Sequence, residues 1–100
     1  MVSEITWSVD AVDTYNGIIE YLSDKWTEKE IVNFGKRVDQ KLEVLQMQPR
    51  IGRRISRRYY IYRTEIHKRI SLVYRFKPRR NEIELVTFWN TLQNPSRFKI

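Results

Sequence analysis

The chain has 100 residues, 41% of them hydrophobic, with 13 aromatic side chains and a net charge of +7. That length suits one small domain, residues 1–100, around a single core, and the aromatic content excludes disorder. With no cysteine and one histidine, His67, a thiol nucleophile, a disulfide framework and a Cys/His zinc site are excluded, and no metal or cofactor is expected.

Glu4–Trp7 alternates in the manner of a short edge strand. Ser8 stands where an N-cap stands, able to accept from a free amide of the first helical turn, and Asp10 and Asp13 complement the helix dipole. Ala11, Tyr15, Ile18, Ile19, Leu22 and Trp26 then recur at steps of three and four, forming one apolar helical stripe. Gly17 costs this helix about 1 kcal/mol relative to alanine, and marks either close packing or nothing. Thr27-Glu28-Lys29-Glu30 is a capping box that opens a second helix, with Ile31, Phe34, Val38, Leu42 and Leu45 on one face. The junction at Lys25–Thr27 is short enough to demand an antiparallel helix pair. Pro49 disfavours helical geometry in the residue before it, so this helix should stop near Gln46–Gln48.

Pro49-Arg50-Ile51-Gly52 has turn chemistry, and Arg53, Arg54, Arg57 and Arg58 follow at once. Tyr59–Thr64 reads as a strand, Glu65–His67 as a tight connection, and Lys68–Phe76 as the central strand. In that strand Ile70, Leu72, Tyr74 and Phe76 fall on one side, with Arg69, Ser71, Val73 and Arg75 on the other. One face can close a core while its opposite carries positive charge. Lys77-Pro78-Arg79-Arg80-Asn81 is a turn, Glu82–Trp89 the last strand, and Asn94-Pro95 a break in the tail. The fold class is α+β, in the order β-α-α-β-β-β. An N-terminal strand and a helical hairpin pack on an antiparallel sheet whose last three strands form a meander.

No apolar run approaches the roughly 18 residues that cross a bilayer, and Met1–Trp7 lacks the basic-then-apolar order of a signal peptide. A cytoplasmic protein without membrane contact is expected. Its charge is polarised. Residues 1–48 hold five Lys/Arg against nine Asp/Glu, a net −4, and residues 49–100 hold fourteen against three, a net +11. Such a field draws polyanions or an acidic partner to one side, the bland alternative being a solvated basic face. Arginine, lysine and aromatic residues interleave from Arg53 to Phe76 and from Phe88 to Phe98, a combination that suits phosphate neutralisation and base stacking. For Tyr60, Tyr62, Phe88 and Trp89 taken singly, sheet packing is the simpler role. A carboxylate-pair hydrolase is poorly supported, since only Glu65, Glu82 and Glu84 lie in the basic half, and His67 is expected to be a surface turn residue.

Taken together, several segments give the chain a resemblance to the RelE/ParE toxins of bacterial type II toxin–antitoxin systems. They are the Trp7-Ser8 entry into a helix with Ala11 and the Ile18/Ile19–Tyr21–Leu22 pattern, and the second helix ending near Leu45. The Pro49-x-x-Gly52-Arg53 loop, the Leu72-Val73-Tyr74-Arg75 strand, and Phe88-Trp89-Asn90 followed by Gln93-Asn94-Pro95 complete the set. The resemblance implies a toxin held inactive by a cognate acidic antitoxin in a hetero-oligomer. ParE-like members poison DNA gyrase without being nucleases, whereas RelE-like members cut mRNA on the ribosome. RelE-like nucleases tend to carry arginine directly before the Leu-Val-Tyr of the central strand, where this chain has Ser71. Near the C-terminus, where they place basic residues and often a tyrosine or histidine, it offers Leu92, Phe98 and Lys99, and Leu92 stands where many carry arginine. With the Pro49-x-x-Gly52-Arg53 loop, these differences lean towards ParE-like inhibition by binding. The alternatives are a ribosome-dependent mRNA endonuclease and a non-toxic relic that still binds antitoxin. The expected antitoxin- or target-binding residues are Arg53, Arg54, Arg57, Arg58, Arg63, Lys68, Arg69, Arg75 and Trp89. If the protein is catalytic, Arg69 and Arg75 are the candidate phosphate-stabilising cations.

Overall fold

A computed structural model describes residues 3–91. Strand β1 (Glu4–Trp7) leads into helix α1 (Val9–Ser23) and helix α2 (Glu28–Met47), followed by β2 (Arg53–Ser56), β3 (Ile61–His67), β4 (Ile70–Lys77) and β5 (Glu82–Asn90). The Asn94-Pro95 break and the positions of Leu92, Phe98 and Lys99 lie outside the described residues.

Both helices start as their sequences dictate. The Ser8 hydroxyl accepts from the amide of Ala11 at 3.0 Å and donates to the carbonyl of Val86 at 2.8 Å, so one side chain caps α1 and ties it to β5. At α2 the capping box closes in both directions. The Glu30 amide donates to the Thr27 hydroxyl at 3.2 Å, and the Thr27 amide donates to the Glu30 carboxylate at 3.0 Å. Gly17 marks no close packing, because a Cβ there would meet nothing within 4 Å.

The five strands form one sheet in the order β1-β5-β4-β3-β2. β1 is an edge strand and runs parallel to β5, with Ile5 opposite Ile83; the other neighbours are antiparallel. The sheet is therefore mixed, and it has one strand more than the sequence suggested. That extra strand is β2, whose residues Arg53-Arg54-Ile55-Ser56 have no apolar alternation to signal it. β3 also runs through Glu65–His67, where a tight connection was expected. The reversal falls instead at Lys68-Arg69, and Arg69 turns the chain with φ of 67°.

The helices cover one face of the sheet. Ala11, Ile18 and Leu22 of α1 and Phe34, Val38 and Leu45 of α2 meet Tyr62, Ile70, Leu72, Tyr74, Phe76, Ile83, Leu85 and Phe88, all buried. Burial of this kind stabilises by about 25 cal/mol per Å² of apolar surface. On the opposite face of β4, Ser71 and Val73 are buried too, at 6% and 1% exposure. In the register these two short residues lie between longer neighbours, Ser71 between Glu65 and Trp89, and Val73 beside Arg63.

Tyr74 links this core to the loop before β2. Its hydroxyl donates to the carbonyl of Pro49 at 2.9 Å and accepts from the amide of Gly52 at 3.0 Å. The loop passes so close that a Cβ on residue 52 would sit 2.7 Å from the Tyr74 oxygen and 3.0 Å from the carbonyl of Arg63. Glycine is needed here for space, since its φ is not positive. Burial pushes the Tyr74 hydroxyl up to about 12, with the Gly52 amide pulling the other way and Tyr62 adding to the rise. The folded chain thus holds this proton to higher pH than the unfolded chain, whose tyrosines titrate near 10. The contribution is complete below about pH 10 and is lost as pH rises through about 12. Tyr74→Phe is expected to lower stability by about 1 kcal/mol at neutral pH. Urea unfolding across that alkaline window should show a shallower decline for the variant than for the native chain. Equal slopes would show that the fold does not retain the proton beyond the pH at which the unfolded chain loses it.

Candidate functional site

The register of the sheet decides which cations share a surface. Arg53 of β2 lies directly opposite Arg63 of β3, and Arg63 pairs with Val73 of β4. Arg75, two residues along β4 from Val73, is a diagonal neighbour of Arg63, about 7–8 Å away in such sheets. Directly opposed residues share a face, so Arg53, Arg63 and Arg75 all stand on the side away from the helices. Among the described residues, the salt bridges on this side belong to Lys77, whose Nζ is 3.6 Å from Glu82 and 3.8 Å from Glu84. Among the described residues none of the three arginines is within salt-bridge distance of a carboxylate, although Glu84 lies directly opposite Arg75. Trp89, half-buried and paired with Ser71, continues the same face.

The other expected residues divide between two ends of the sheet. Arg54 pairs with Tyr62 on the helix side, and its guanidinium lies 4.7 Å from the ring centre of Tyr60 while donating to the carbonyl of Arg57 at 2.7 Å. Arg57 and Arg58 occupy the exposed turn before β3, with Arg58 over the Tyr59 ring at 5.3 Å. Lys68 and Arg69 form the turn at the far end of the β3–β4 hairpin. The Arg69 carbonyl accepts from the Thr91 amide at 2.9 Å and from the Thr91 hydroxyl at 3.1 Å. Six residues of extended chain, about 20 Å, separate Arg69 from Arg75, so one phosphate cannot contact both. The grouping that the structure makes is Arg53, Arg63 and Arg75. Arg53 and Arg63 come together through a strand that carried no sequence signal.

The acid–base groups that the register places on this face are carboxylates, Glu65 opposite Ser71, Glu84 opposite Arg75 and Glu82 opposite Lys77. His67 is half-buried on the helix side, its ring 5.0 Å from Trp26 and 6.4 Å from Phe34, so it is a packing residue within a strand rather than the turn residue expected. Burial, reinforced by Asp39, raises the Tyr15 hydroxyl above its ordinary 10, and Tyr74 lies in the core. Glu65 lines a groove beside α2 with Arg37 and Lys41. Among the described residues no group of three His, Cys, Asp or Glu side chains is placed to hold a metal ion. Among the same residues no helix is long and apolar enough to cross a membrane. What the arginine face offers is net positive charge beside an indole, with Glu65, Glu82 and Glu84 on the same face.

Residues 5–95 match the family described as the ParE toxin of the type II toxin-antitoxin system, parDE. The chain belongs to the ParE toxin family. This toxin is also similar in fold to the E. coli toxin RelE, solved as a double-arginine mutant in the free state. The match has a TM-score of 0.63 and 13% identity, covering 95% of this chain and 90% of that one. No curated protein matches the sequence.

Opposed arginines on neighbouring strands repel, and the Arg53–Arg63 pair is kept in this toxin at that cost. Arg53→Thr removes the repulsion at an exposed edge position and supplies a good strand former. It is expected to raise stability by about 0.2–1 kcal/mol, read as a higher urea midpoint with unchanged slope. A lower midpoint would mean that attraction to its surroundings outweighs the repulsion from Arg63.

Proposed function

We propose that the protein arrests growth by binding its target, as gyrase-directed toxins do, and that an acidic antitoxin neutralises it. The observation carrying this reading is Ser71. It occupies the place where RelE-like nucleases tend to carry arginine, on a face that supplies cations and an indole but brings no imidazole to them. Binding needs only that surface, whereas RNA cleavage also needs a group to take the 2′-hydroxyl proton, and the carboxylate opposite Arg75, Glu84, is engaged by Lys77. Purified toxin in excess should inhibit supercoiling by DNA gyrase, and full supercoiling activity would remove this reading.

The alternative reading, a ribosome-dependent mRNA endonuclease, draws on the grouping of Arg53, Arg63 and Arg75, which could stabilise a phosphorane-like transition state. Mapping mRNA 5′ ends after induction separates the two. New ends confined to ribosome-bound messages would establish cleavage; an unchanged profile in arrested cells would exclude it. Expression without any growth defect would point instead to a non-toxic antitoxin-binding chain.

The antitoxin follows from the charge. A short acidic protein encoded beside the toxin would gain attraction and relieve the self-repulsion of a half carrying +11. Contacts at the exposed rim act chiefly on association rate and are screened by salt, while apolar anchors hold the complex. Association is therefore expected to slow markedly as salt rises. Replacing Arg57 and Arg58 together by glutamate should slow it further while shifting stability by only about 0.5 kcal/mol. Stopped-flow mixing measures both effects. Rates insensitive to salt and to the double substitution would place the antitoxin on another surface.

A further inference from the structure

At the other end of β4 from the Lys68-Arg69 turn, a second basic feature opens beside the start of β3. It is a cleft of about 590 Å³ lined by Tyr60, Arg75, Lys77, Pro78, Arg79 and Arg80, within the span of roughly 300–1,000 Å³ usual for ligand sites. Lys77 is bridged to Glu82 and Glu84, and among the described residues no carboxylate is within salt-bridge distance of Arg75, Arg79 or Arg80, although Glu84 is opposite Arg75 in the register.

The aromatic wall is held in an unusual way. Tyr60 has φ of 54°, a left-handed backbone that a bulky side chain rarely adopts. Its carbonyl accepts from the amide of Phe76 at 3.1 Å, which fixes the residue against β4. This backbone leaves Tyr60 40% exposed and its neighbour Tyr59 44% exposed, where an ordinary strand would turn one of two successive side chains inward. Guanidinium groups lie over both rings, Arg54 at 4.7 Å from the centre of Tyr60 and Arg58 and Arg75 at 5.3 and 6.0 Å from that of Tyr59, so a base would stack on the remaining exposed ring surface. Disfavoured backbone geometry persists where surrounding structure holds it, and it clusters at ligand clamps.

Exposed rings flanked by unpaired cations match a particular ligand chemistry. Unpaired bases stack on aromatic faces while their phosphates meet arginine. An acidic peptide would satisfy the cations but make no use of the exposed ring surface. A duplex presents phosphates but keeps its base faces stacked within itself. We propose that this cleft binds single-stranded nucleic acid, with a base stacked on Tyr60 and the flanking phosphates held by Arg75, Arg79 and Arg80.

Fluorescence anisotropy of the full chain with labelled oligothymidine, over a series of salt concentrations, tests this directly. Tyr60→Gly removes the ring and suits the left-handed backbone, and it is expected to weaken binding about tenfold. Tyr60→Asn, which also tolerates that backbone, should do the same, while Tyr60→Phe should bind like the native chain. Arg79→Ala with Arg80→Ala should lower the slope of log affinity against log salt by about 1.4, or 0.7 for each phosphate no longer neutralised. Native affinity in both ring-deleted variants would overturn the proposal. So would an oligoglutamate peptide that displaces the oligonucleotide at equal charge concentration, since that would make the cleft a generic acidic-partner site. The supercoiling assay and this measurement share no readout, so either reading can fail alone.

Discussion

A buried phenol controls where the arginines go. The Tyr74 hydroxyl lies in the core, where an unbonded hydroxyl would cost a few kcal/mol, and it finds both partners in one loop, at Pro49 and Gly52. The loop's remaining contact with the sheet is weaker, the exposed Arg50 guanidinium lying 4.9 Å from the ring centre of Phe76 while Ile51 is exposed. Once Gly52 is held against Tyr74, Arg53 begins β2 immediately, and its register opposite Arg63 follows. The stacking of Tyr62 on Tyr74, with ring centres 5.4 Å apart and planes within 14°, fixes the phenol from the β3 side. A hydrogen bond inside the core thus sets the spacing of charges on the opposite face.

The sheet can carry those charges because its two faces do different jobs. The helix-covered face supplies most of the folding energy through buried aliphatic and aromatic side chains. The other face can then hold like charges at a cost of the order of 1 kcal/mol per opposed pair. The helices carry the acidic half of the chain, but their carboxylates lie on the far side of the core from the arginine face. Among the described residues, salt bridges are restricted to Lys77 with Glu82 and Glu84 at the β4–β5 end, where Glu84 also faces Arg75. A surface so little neutralised, on a well-packed base, is what the proposed binding of an acidic antitoxin would require.

Much of this was legible in the chain. Alternation in Lys68–Phe76 identified the central strand, the stripes in α1 and α2 identified the helix faces, and the capping chemistry of Ser8 and Thr27 fixed where the helices start. These are local signals, read within a few residues. The sequence was least informative where distant segments meet. The parallel pairing of β1 with β5 joins residues 78 apart in the chain, as Ile5 and Ile83 are, and β2 is a strand only because β3 offers it an edge. Arg69 was expected to share a face with Arg75 because the strand pattern was extended two residues, Lys68 and Arg69, into a turn, where a positive φ at Arg69 breaks the alternation. Tyr60 shows the same limit. Its exposure comes from a backbone conformation that no residue type nearby announces, although Pro78-Arg79-Arg80 beside it was visible as a basic turn.

Arg75 belongs to both basic surfaces. Register places it diagonal to Arg63 on the sheet face, while its Nε–H donates to the carbonyl of Tyr59 at 3.4 Å and its side chain lines the cleft. Two anionic ligands bound on these surfaces would lie within about a Debye length of each other, roughly 8–10 Å in ordinary salt, and would compete for the same guanidinium. Each would weaken the other, and thermodynamic linkage makes that weakening equal in both directions. An acidic chain covering the arginine face therefore also disfavours a polyanion in the cleft without touching Tyr60. The extent of that opposition depends on salt, because the interaction between the two ligands is screened by the ions that screen each ligand's own binding.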